Sequence, residues 1–519
     1  MPRGSATDPH PDPLPEREEE PGPRGRRPLP ERDDSGMVWG PGRGRLDAGQ
    51  GETRMALVIR NTTVVTSDTA RTVHHDASIV VDADRIVAIG PTEEIDRRWP
   101  GAERMDGRGK AVFPGLVNCH THLWFTVARG IQEDFGFPST LRFPTTVQAM
   151  LSAEENAVFA MLGALECLRG GTTALLEIGT RVPDYAKPVA ATGLRVVFGQ
   201  TSSDLEPAGI PEDRFVYSPV LADKTLRGVD DVIAAWHGAA KGRITCVVAA
   251  HAAEACSPEL LRGARELAEQ RDVRTTIHLD QSHWEIESVM RVRGVRPAEY
   301  LFQHGFLSSR LVAAHCRFMS PAEISHLGRS RASVSHNAAM AARRAAAPPI
   351  QALAAAGCNI AMGTDNMAHD MLEAMRTGLF VERISRQDGE RPWPEDVLEW
   401  GTRNGAAALG LGADVGSLEV GKKADLVILD TRRPHLVPAL RIVSAWIHNG
   451  QAGDVESVMV DGRWLMRDRR VLTIDEGDVV TRAEEIGRRV WRQLVERYPN
   501  IPFPIRLPPL VSGAADRSP

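Results

Sequence analysis

The chain has 519 residues, of which 42% are hydrophobic, 25% charged and 5% aromatic, and this composition excludes a fully disordered, collagen-like or fibrous protein. Its 62 basic and 68 acidic residues give a formal net charge of −6, which offers no general electrostatic reason to expect a nucleic-acid partner. No apolar run approaches the length of a membrane helix, so a membrane is not expected as a partner either.

The cysteines and the start of the chain bear on its compartment. The six cysteines are scattered and contain no C-x-x-C pair, which favours a reducing cytosol over secretion. Residues 1–54 hold ten of the 35 prolines among mixed charges, and they lack the apolar core of a signal peptide. We therefore predict a cytoplasmic protein with a disordered tail over residues 1–54. The alternative is an upstream extension of a chain whose patterned sequence begins at Met55.

Strand patterns flank a long region of alternating strands and helices. Residues 55–112 and 416–475 are rich in β-branched residues and predict one composite β-sandwich built from both ends of the chain. Between residues 113 and 415, apolar strands alternate with Ala- and Leu-rich helical stretches, which predicts an α/β fold with a closed (β/α)8 TIM-like barrel. A doubly wound open sheet is the alternative. Residues 476–519 predict an amphipathic helix, packed on the sandwich or on a partner subunit, and a Pro-rich tail.

The main chemical signal lies where the barrel strands end. His120 and His122 are two residues apart on the first strand, so their side chains point the same way. His278, His315 and Asp365 end the apolar strands RTTIHL, RLVAAH and NIAMGTD. Active sites of these barrels gather at the carboxyl ends of the strands, and imidazoles and carboxylates are common ligands of zinc and related metals. These five residues therefore predict a metal-dependent active site.

The motifs resemble a known enzyme family. PGLVNCHTHL, TTIHLDQ, LVAAHC, VSHN and MGTDN, in this order, are similar to motifs of the metal-dependent amidohydrolase superfamily, and GSLEVGKKADLVILD and VMVDGRWL support the resemblance. The most similar subgroup contains chlorotriazine hydrolases and cytosine, guanine and methylthioadenosine/S-adenosylhomocysteine deaminases. The resemblance runs from about Met55 to Asp475. It implies a barrel with a flanking β-sandwich, and hydrolysis of a non-peptide C–N bond of a small molecule by a metal-bound hydroxide.

The resemblance also implies roles for the residues at the strand ends. His120, His122, His278 and Asp365 match the metal ligands, and Asp365 also takes the proton from the attacking water. His315 matches the histidine that polarises or orients the group under attack. Binuclear members add a lysine after the fourth strand, which the segment ITCVVAAHAAEACSPELL lacks. We therefore expect one divalent ion, with zinc ahead of iron, cobalt or manganese.

Three further residues are candidates for contact with the substrate. His251 stands where the subgroup has a substrate-contacting histidine in its motif PHAPYTCSPE, although the corresponding AAHAAEACSPE loses the proline and the tyrosine. A supporting position behind the site is the alternative for His251. His336 lies at the strand end of VSHN. Trp124 opens the aromatic-rich loop WFTVARGIQEDFGFPSTLRF, whose rings either line an apolar pocket or pack on neighbouring helices.

One candidate catalytic position departs from the family pattern. Deaminases of the subgroup usually carry a glutamate three residues after the third histidine, where this chain has Gln281. A glutamine has no titratable proton to give, and losing a general acid costs ~10²–10⁴ in rate when nothing replaces it. Either a deaminase passes the proton through Asp365, His315 or a water, or the enzyme hydrolyses a urea, amide or (thio)carbamate. This departure disfavours adenosine and cytosine deamination specifically.

A function of another class is a catalytically inactive binding or scaffold protein, because fold does not determine function. Such descendants typically lose metal ligands, whereas this chain retains every ligand position that can be matched to the family. We therefore expect an enzyme with a small-molecule substrate. The resemblance also suggests a homo-oligomer, although no residue specifies one.

Overall fold

The N-terminal strands contribute half of a mixed sheet. A computed structural model describes residues 55–134, 145–212 and 214–501, and the predicted tail over residues 1–54 lies outside them. The N-terminal elements are β1 (Leu57–Val65), β2 (Val73–Asp82), β3 (Arg85–Pro91), helix α1 (Thr92–Arg98), β4 (Glu103–Asp106) and β5 (Lys110–Pro114). Strand β1 pairs with β2, with β4 along its first half and with β5 along its second half.

A parallel barrel follows directly after β5. Its strands are β6 (Leu116–His122), β7 (Thr172–Gly179), β8 (Arg195–Ser202), β9 (Ile244–Ala252), β10 (Arg274–Leu279), β11 (Leu311–His315), β12 (Ser333–His336), β13 (Asn359–Met362) and β14 (Asp365–Asn366). Each strand from β6 to β13 pairs in parallel with the next, and β14 pairs with β6. Only two residues separate β13 from β14, so these two form one interrupted strand that closes a ring of eight. The predicted (β/α)8 barrel is confirmed.

The C-terminal strands complete the flanking sheet. They are β15 (Leu426–Asp430), β16 (Val455–Val460), β17 (Arg463–Arg467) and β18 (Arg470–Val471). Strand β15 pairs antiparallel with β5, which joins the two chain ends in one nine-stranded sheet in the order β18-β17-β16-β15-β5-β1-β2-β3, with β4 beside β1. Ile59, Ile79, Leu426 and Met459 from both ends share one buried cluster. The composite β domain predicted beside the barrel is therefore present, and the domain limits drawn from the sequence stay predictions.

The helices surround the barrel, and many begin with a serine cap. They are α2 (Ala153–Arg169), α3 (Val182–Ala191), α4 (Pro219–Trp236), α5 (Pro258–Gln270), α6 (His283–Arg293), α7 (Pro297–Gln303), α8 (Pro321–Ser330), α9 (Ala338–Arg343), α10 (Ile350–Ala356), α11 (Met371–Arg386), α12 (Pro394–Trp400), α13 (Arg403–Ala408), α14 (Ile442–Asn449) and α15 (Glu476–Arg497). A serine side chain accepts a backbone hydrogen bond at the start of α2, α4, α5, α6 and α8. These caps satisfy backbone donors that the first helical turn leaves free.

The last helix packs mainly along α2 of the barrel. Trp491 of α15 is buried and donates from its indole nitrogen to the carbonyl of Val127 at 2.6 Å. Val490 and Leu494 share a cluster with Phe159 of α2. The first turn also reaches the flanking sheet, because Val479 shares a buried cluster with Val458 and Met466. Packing on a partner subunit stays a prediction. No helix among the described residues is long and apolar enough to cross a membrane.

Candidate active site

The predicted site residues meet at one rim of the barrel. His120 and His122 are on the last residues of β6, His278 is near the end of β10, and His315 ends β11. Asp365 begins β14, after the interruption in the last strand. Because parallel strands in a closed barrel end at a common rim, four separate segments of the chain converge there.

The converging atoms lie within a few ångströms of one another. Asp365 Oδ1 is 3.6 Å from His122 Nε2 and 3.7 Å from His120 Nε2. The Nε2 atoms of His122 and His278 are 3.3 Å apart, and His315 Nε2 is 3.8 Å from the other oxygen of Asp365. His120, His122 and His278 each offer a ligand atom within 4.8 Å of the others, as do His120, His315 and Asp365. The geometry thus brings together all five residues predicted at the centre.

Backbone carbonyls select the tautomer of two of these histidines. His122 Nδ1 lies 2.8 Å from the carbonyl oxygen of Ile178, and His278 Nδ1 contacts the carbonyl oxygen of His251. A carbonyl only accepts, so each Nδ1 carries the hydrogen and each Nε2 keeps a lone pair. The Nε2 atoms of His122 and His278, each with a lone pair, therefore lie 3.3 Å apart and repel each other. A cation between them would remove that repulsion, so this pair fits a bound metal ion.

His120 and Asp365 complete a donor set suited to a divalent metal. Neither ring nitrogen of His120, which is fully buried, has a hydrogen-bond partner among the described residues. Burial lowers the pKa of both His120 and His278, with the neighbouring histidines as a second cause, so both rings are neutral and able to bind a metal. Burial raises the pKa of Asp365, and nearby His122 and Arg317 oppose that rise. Three imidazoles and one carboxylate are ligands that zinc accepts.

His315 has the opposite tautomer. Its Nδ1 lies 3.1 Å from Arg317 Nη2 and 3.1 Å from Asn337 Nδ2. An arginine only donates, so Nδ1 is the acceptor and Nε2 carries the hydrogen. His315 Nε2 therefore presents a donor to the centre, in contrast to His122 and His278. This tautomer distinguishes His315 from the predicted metal ligands His122 and His278 and is consistent with its predicted role beside the group under attack.

The backbone at His315 and Asp365 is unusual. His315 has φ of +78° and Asp365 has φ of +70°, in the left-handed region that few non-glycine residues adopt. Asn118 holds the Asp365 segment in place: its amide donates to Thr364 Oγ1 at 2.8 Å and accepts from the Thr364 backbone nitrogen at 3.1 Å. Because Asn118 is two residues before His120, the same side chain keeps β6 and β14 in register.

A buried carboxyl group supports the strand end that carries His122. Glu177 on β7 accepts hydrogen bonds from Thr121 Oγ1 at 2.7 Å, from the Leu123 backbone nitrogen at 2.8 Å and from Tyr185 Oη at 2.9 Å. Its side chain is fully buried, and this burial raises its pKa to about 8. Residues on both sides of His122 are thus fixed by one carboxyl group.

Gln281 has no carboxylate substitute beside it. The side-chain amide of Gln281 makes no hydrogen bond within the described part of the chain, and the residue is 8% exposed. The nearby Glu285 accepts from the backbone nitrogens of Asp280 and Gln281 at 3.0 and 2.7 Å. Asp280 itself lies 3.5 Å from Arg296. Glu285 is therefore engaged in backbone contacts, Asp280 is directed toward Arg296 with no hydrogen bond to its carboxylate among the described residues, and Asp365 is the carboxyl group at the centre.

The predicted substrate contacts have different surroundings. His251 is half-buried, its ring centre is 5.3 Å from that of His278, and burial lowers its pKa to about 4. Trp124 is half-buried, packs against Phe125 at 4.7 Å and leaves its buried indole nitrogen without a partner among the described residues. His336 is fully buried with its ring 6.3 Å from Trp400, behind the barrel wall, which does not favour substrate contact. The rest of the aromatic loop, residues 135–144, lies outside the described residues.

Three residues of the site were not predicted from the sequence. Glu177, Arg317 and Asn337 each contact a strand end or a candidate catalytic histidine. The available signal was that each is a polar residue at or just after the end of an apolar strand. That signal alone does not show which neighbouring segment the side chain reaches.

Comparisons with known proteins agree with this geometry. A family model described as the amidohydrolase family matches residues 111–465. The chain belongs to the amidohydrolase family. A short match over residues 79–102 is to an imidazolonepropionase-like composite domain of bacteria. The predicted membership of this family is confirmed. The prediction of a hydrolase that acts on C–N bonds other than peptide bonds is confirmed as well.

This chain matches several relatives and solved structures over nearly the whole of their length. A 5-methylthioadenosine/S-adenosylhomocysteine deaminase of Desulforudis audaxviator is 33% identical over 84% of this chain and 99% of its own. A 5'-deoxyadenosine deaminase of Methanothermobacter thermautotrophicus is 34% identical over 78% of this chain and 93% of its own. An adenosine deaminase structure from Xanthomonas campestris with bound zinc is 27% identical, with a TM-score of 0.78, over 84% of this chain and 98% of that one.

Proposed function

We propose that the protein is a zinc-dependent deaminase that hydrolyses the exocyclic C–N bond of an adenosine-like amino-heterocycle and releases ammonia. The observation that carries this proposal is the clustering of His120, His122 and His278, with the Nε2 atoms of His122 and His278 3.3 Å apart and Asp365 Oδ1 3.6–3.7 Å from His122 and His120. The substrate class is supported by the deaminase relatives, whose similarity extends over most of both chains.

The donor set supports binding of one divalent ion. His120, His122, His278 and Asp365 would hold it, with zinc favoured because zinc is bound in the similar adenosine deaminase structure. When bound, a divalent cation supplies Lewis acidity that makes water a nucleophile at neutral pH. A single ion is favoured because the described residues offer no lysine beside this donor set.

Two residues of the chain handle the proton and the developing charge. Asp365 accepts the proton of the attacking water, and the proton then passes to the amino group that leaves as ammonia. His315 donates from Nε2 to the electronegative atom beside the carbon under attack, which stabilises negative charge as it develops. The 3.8 Å between His315 and Asp365 leaves room for an atom that contacts both groups. His251 and Trp124 would contact the rest of the substrate.

A second candidate function is favoured by Gln281. Without a glutamate there, a ring nitrogen receives no proton from this position, and a urea, amide or (thio)carbamate depends less on one. The surroundings of the two nearby acids support this candidate: Glu285 is held by backbone nitrogens and Asp280 is directed toward Arg296, so neither replaces the missing glutamate. The two candidates share the same metal and the same roles for Asp365 and His315.

Ammonia release from zinc-loaded enzyme distinguishes these functions. The panel contains 5'-methylthioadenosine, S-adenosylhomocysteine and 5'-deoxyadenosine. It also contains a phenylurea, an amide and a thiocarbamate, whose hydrolysis is measured as loss of the substrate. Turnover of the nucleosides supports the first candidate, and turnover confined to the acyl compounds supports the second. Asp365→Ala should abolish either activity, whereas His75→Ala, an exposed histidine on the flanking sheet, should not. Stoichiometric zinc binding without turnover of any compound would contradict both candidates.

A further inference from the structure

A buried arginine lies directly behind the proton donor of the site. Arg317 is 6% exposed, and its Nη1 donates to the backbone carbonyl of Gln281 at 3.2 Å. Its Nη2 donates to His315 Nδ1 at 3.1 Å. Its Nε has no partner, and no carboxylate lies within ion-pair distance of it among residues 55–134, 145–212 and 214–501. The guanidinium is thus a buried cation whose direct contacts are a carbonyl and an imidazole.

Burial of this guanidinium lowers the stability of the folded protein. Burial of a charged group without a paired opposite charge is strongly unfavourable, because the group loses its hydration. Packing alone does not account for the position, because an apolar side chain of similar length would fill it without that cost. A guanidinium makes two contacts that an apolar chain does not: the donations to the Gln281 carbonyl and to His315, and only the second reaches a candidate catalytic side chain.

A second donor converges on the same nitrogen. Asn337 Nδ2 is 3.1 Å from His315 Nδ1, and the amide is oriented by Ser335 Oγ, which lies 2.9 Å from Asn337 Oδ1. With donors from Arg317 and Asn337 on one side, a hydrogen on Nδ1 would face two other hydrogens. Both the Nδ1-protonated tautomer and the doubly protonated ring are therefore excluded by geometry.

We propose that Arg317, together with Asn337, is a positioning residue that fixes His315 as the Nε2-protonated tautomer. In this form His315 donates a hydrogen bond to the electronegative atom beside the carbon under attack. It is also kept out of the ligand set of the metal, because a protonated nitrogen has no lone pair for a cation. Opposite tautomers thus surround the centre. Backbone carbonyls leave a lone pair on Nε2 of His122 and His278, whereas the N–H groups of Arg317 and Asn337 leave the hydrogen of His315 on Nε2.

The tautomer can be read without a substrate. Protein labelled with [15N]histidine is compared in metal-free and zinc-loaded form by long-range 1H–15N correlation, since protonated and unprotonated ring nitrogens have different 15N shifts. His315→Gln assigns the signals of His315 by their loss. We expect Nδ1 unprotonated and Nε2 protonated in both forms. A wild-type spectrum with hydrogen on Nδ1, or with Nε2 of His315 bound to zinc, would overturn the proposal.

Variants then connect the tautomer to its cause. Arg317→Met with Asn337→Asp removes both donors and adds an acceptor, so we expect the hydrogen of His315 to move to Nδ1. Arg317→Lys retains a donor and should retain the wild-type pattern. Arg293→Met is the matched control, because Arg293 is half-buried and, like Arg317, has an Nε without a partner among the described residues and donates to a backbone carbonyl, that of Cys256. An unchanged His315 tautomer in the double variant would overturn the proposal, and if that variant does not fold, the wild-type spectrum decides.

A kinetic measurement adds the consequence for catalysis and rests on the proposed function. In the double variant kcat should fall ~10²–10³-fold with little change in KM, as when one oriented donor to a developing charge is lost. Arg317→Lys should restore most of kcat. A rise in KM with unchanged kcat would instead assign Arg317 to ground-state binding and contradict the positioning role. Because the spectra need no substrate, absence of deaminase activity would count against the proposed function and leave the spectral test intact.

Discussion

Replacement of Glu177 by glutamine should remove a pH dependence of stability without disrupting the site. Glu177 accepts two hydrogen bonds at one oxygen, from Thr121 and Leu123, and one at the other, from Tyr185. A glutamine carbonyl takes over the first two, and its amino group donates to Tyr185 Oη, which turns to accept. All three contacts survive because the amide has the shape and hydrogen-bonding pattern of a protonated carboxyl group.

The magnitude follows from the pKa of Glu177. Burial raises this pKa from the ordinary 4.5 to about 8, so between those values the folded protein holds a proton that the unfolded chain has released. The unfolding free energy therefore falls as pH rises through this window, by at most about 1.4 kcal/mol per pH unit, and on the order of 5 kcal/mol over the whole window. Glu177→Gln lacks this proton and should lose that slope.

Denaturant titrations measure the effect. Wild type and Glu177→Gln are unfolded in urea at several pH values from 5 to 8, and the difference in unfolding free energy is plotted against pH. Other titrating groups are common to both proteins and cancel in the difference. We expect the variant to gain stability relative to wild type as pH rises. Parallel curves would show that Glu177 ionises as freely in the fold as in the unfolded chain and would refute the reasoning.

Further predictions concern the centre and its supports. Asp365→Asn keeps the size of the side chain but accepts no proton, so kcat should fall ~10²–10⁴-fold in steady-state assays, and a kcat close to wild type would contradict its role. Gly363→Ala places a methyl group 2.9 Å from His120 Cβ and closer still to two polar atoms. This variant should lose about 1–3 kcal/mol of unfolding free energy, and metal analysis should find less bound zinc. Gly228→Ala, with no atom within 4 Å of the new carbon, should show neither effect. Gln281→Glu should raise ammonia release from aminopurine nucleosides, and an unchanged rate would show that the missing glutamate does not limit the reaction.

Residue type and strand position were sufficient to predict the centre. His120 and His122 share one side of a strand by simple alternation, and His278, His315 and Asp365 end apolar runs that a parallel barrel must bring to one rim. These inferences need only the local chain and the rule for where barrel strands end. The fold class followed from the same alternation of strands and helices.

Contacts between distant segments were not predictable in the same way. The tautomer of His315 depends on Arg317 and on Asn337, which follows the next strand, and nothing local in the sequence indicates which nitrogen they reach. Similarly, the side of α15 that is buried was evident from its pattern, but its partner α2 was not, because an apolar stripe does not specify the surface that covers it. Which side chain reaches His315, and which helix covers α15, is determined only when the barrel is assembled.

Crystallography of the zinc-loaded protein, with anomalous data at the zinc edge, tests the central claim most directly. The account predicts one zinc peak at about 2.0–2.2 Å from Nε2 of His120, His122 and His278 and from a carboxylate oxygen of Asp365, with His315 outside bonding distance. A peak elsewhere, no peak at full zinc loading, or a bond from zinc to His315 in place of one of the four would contradict it.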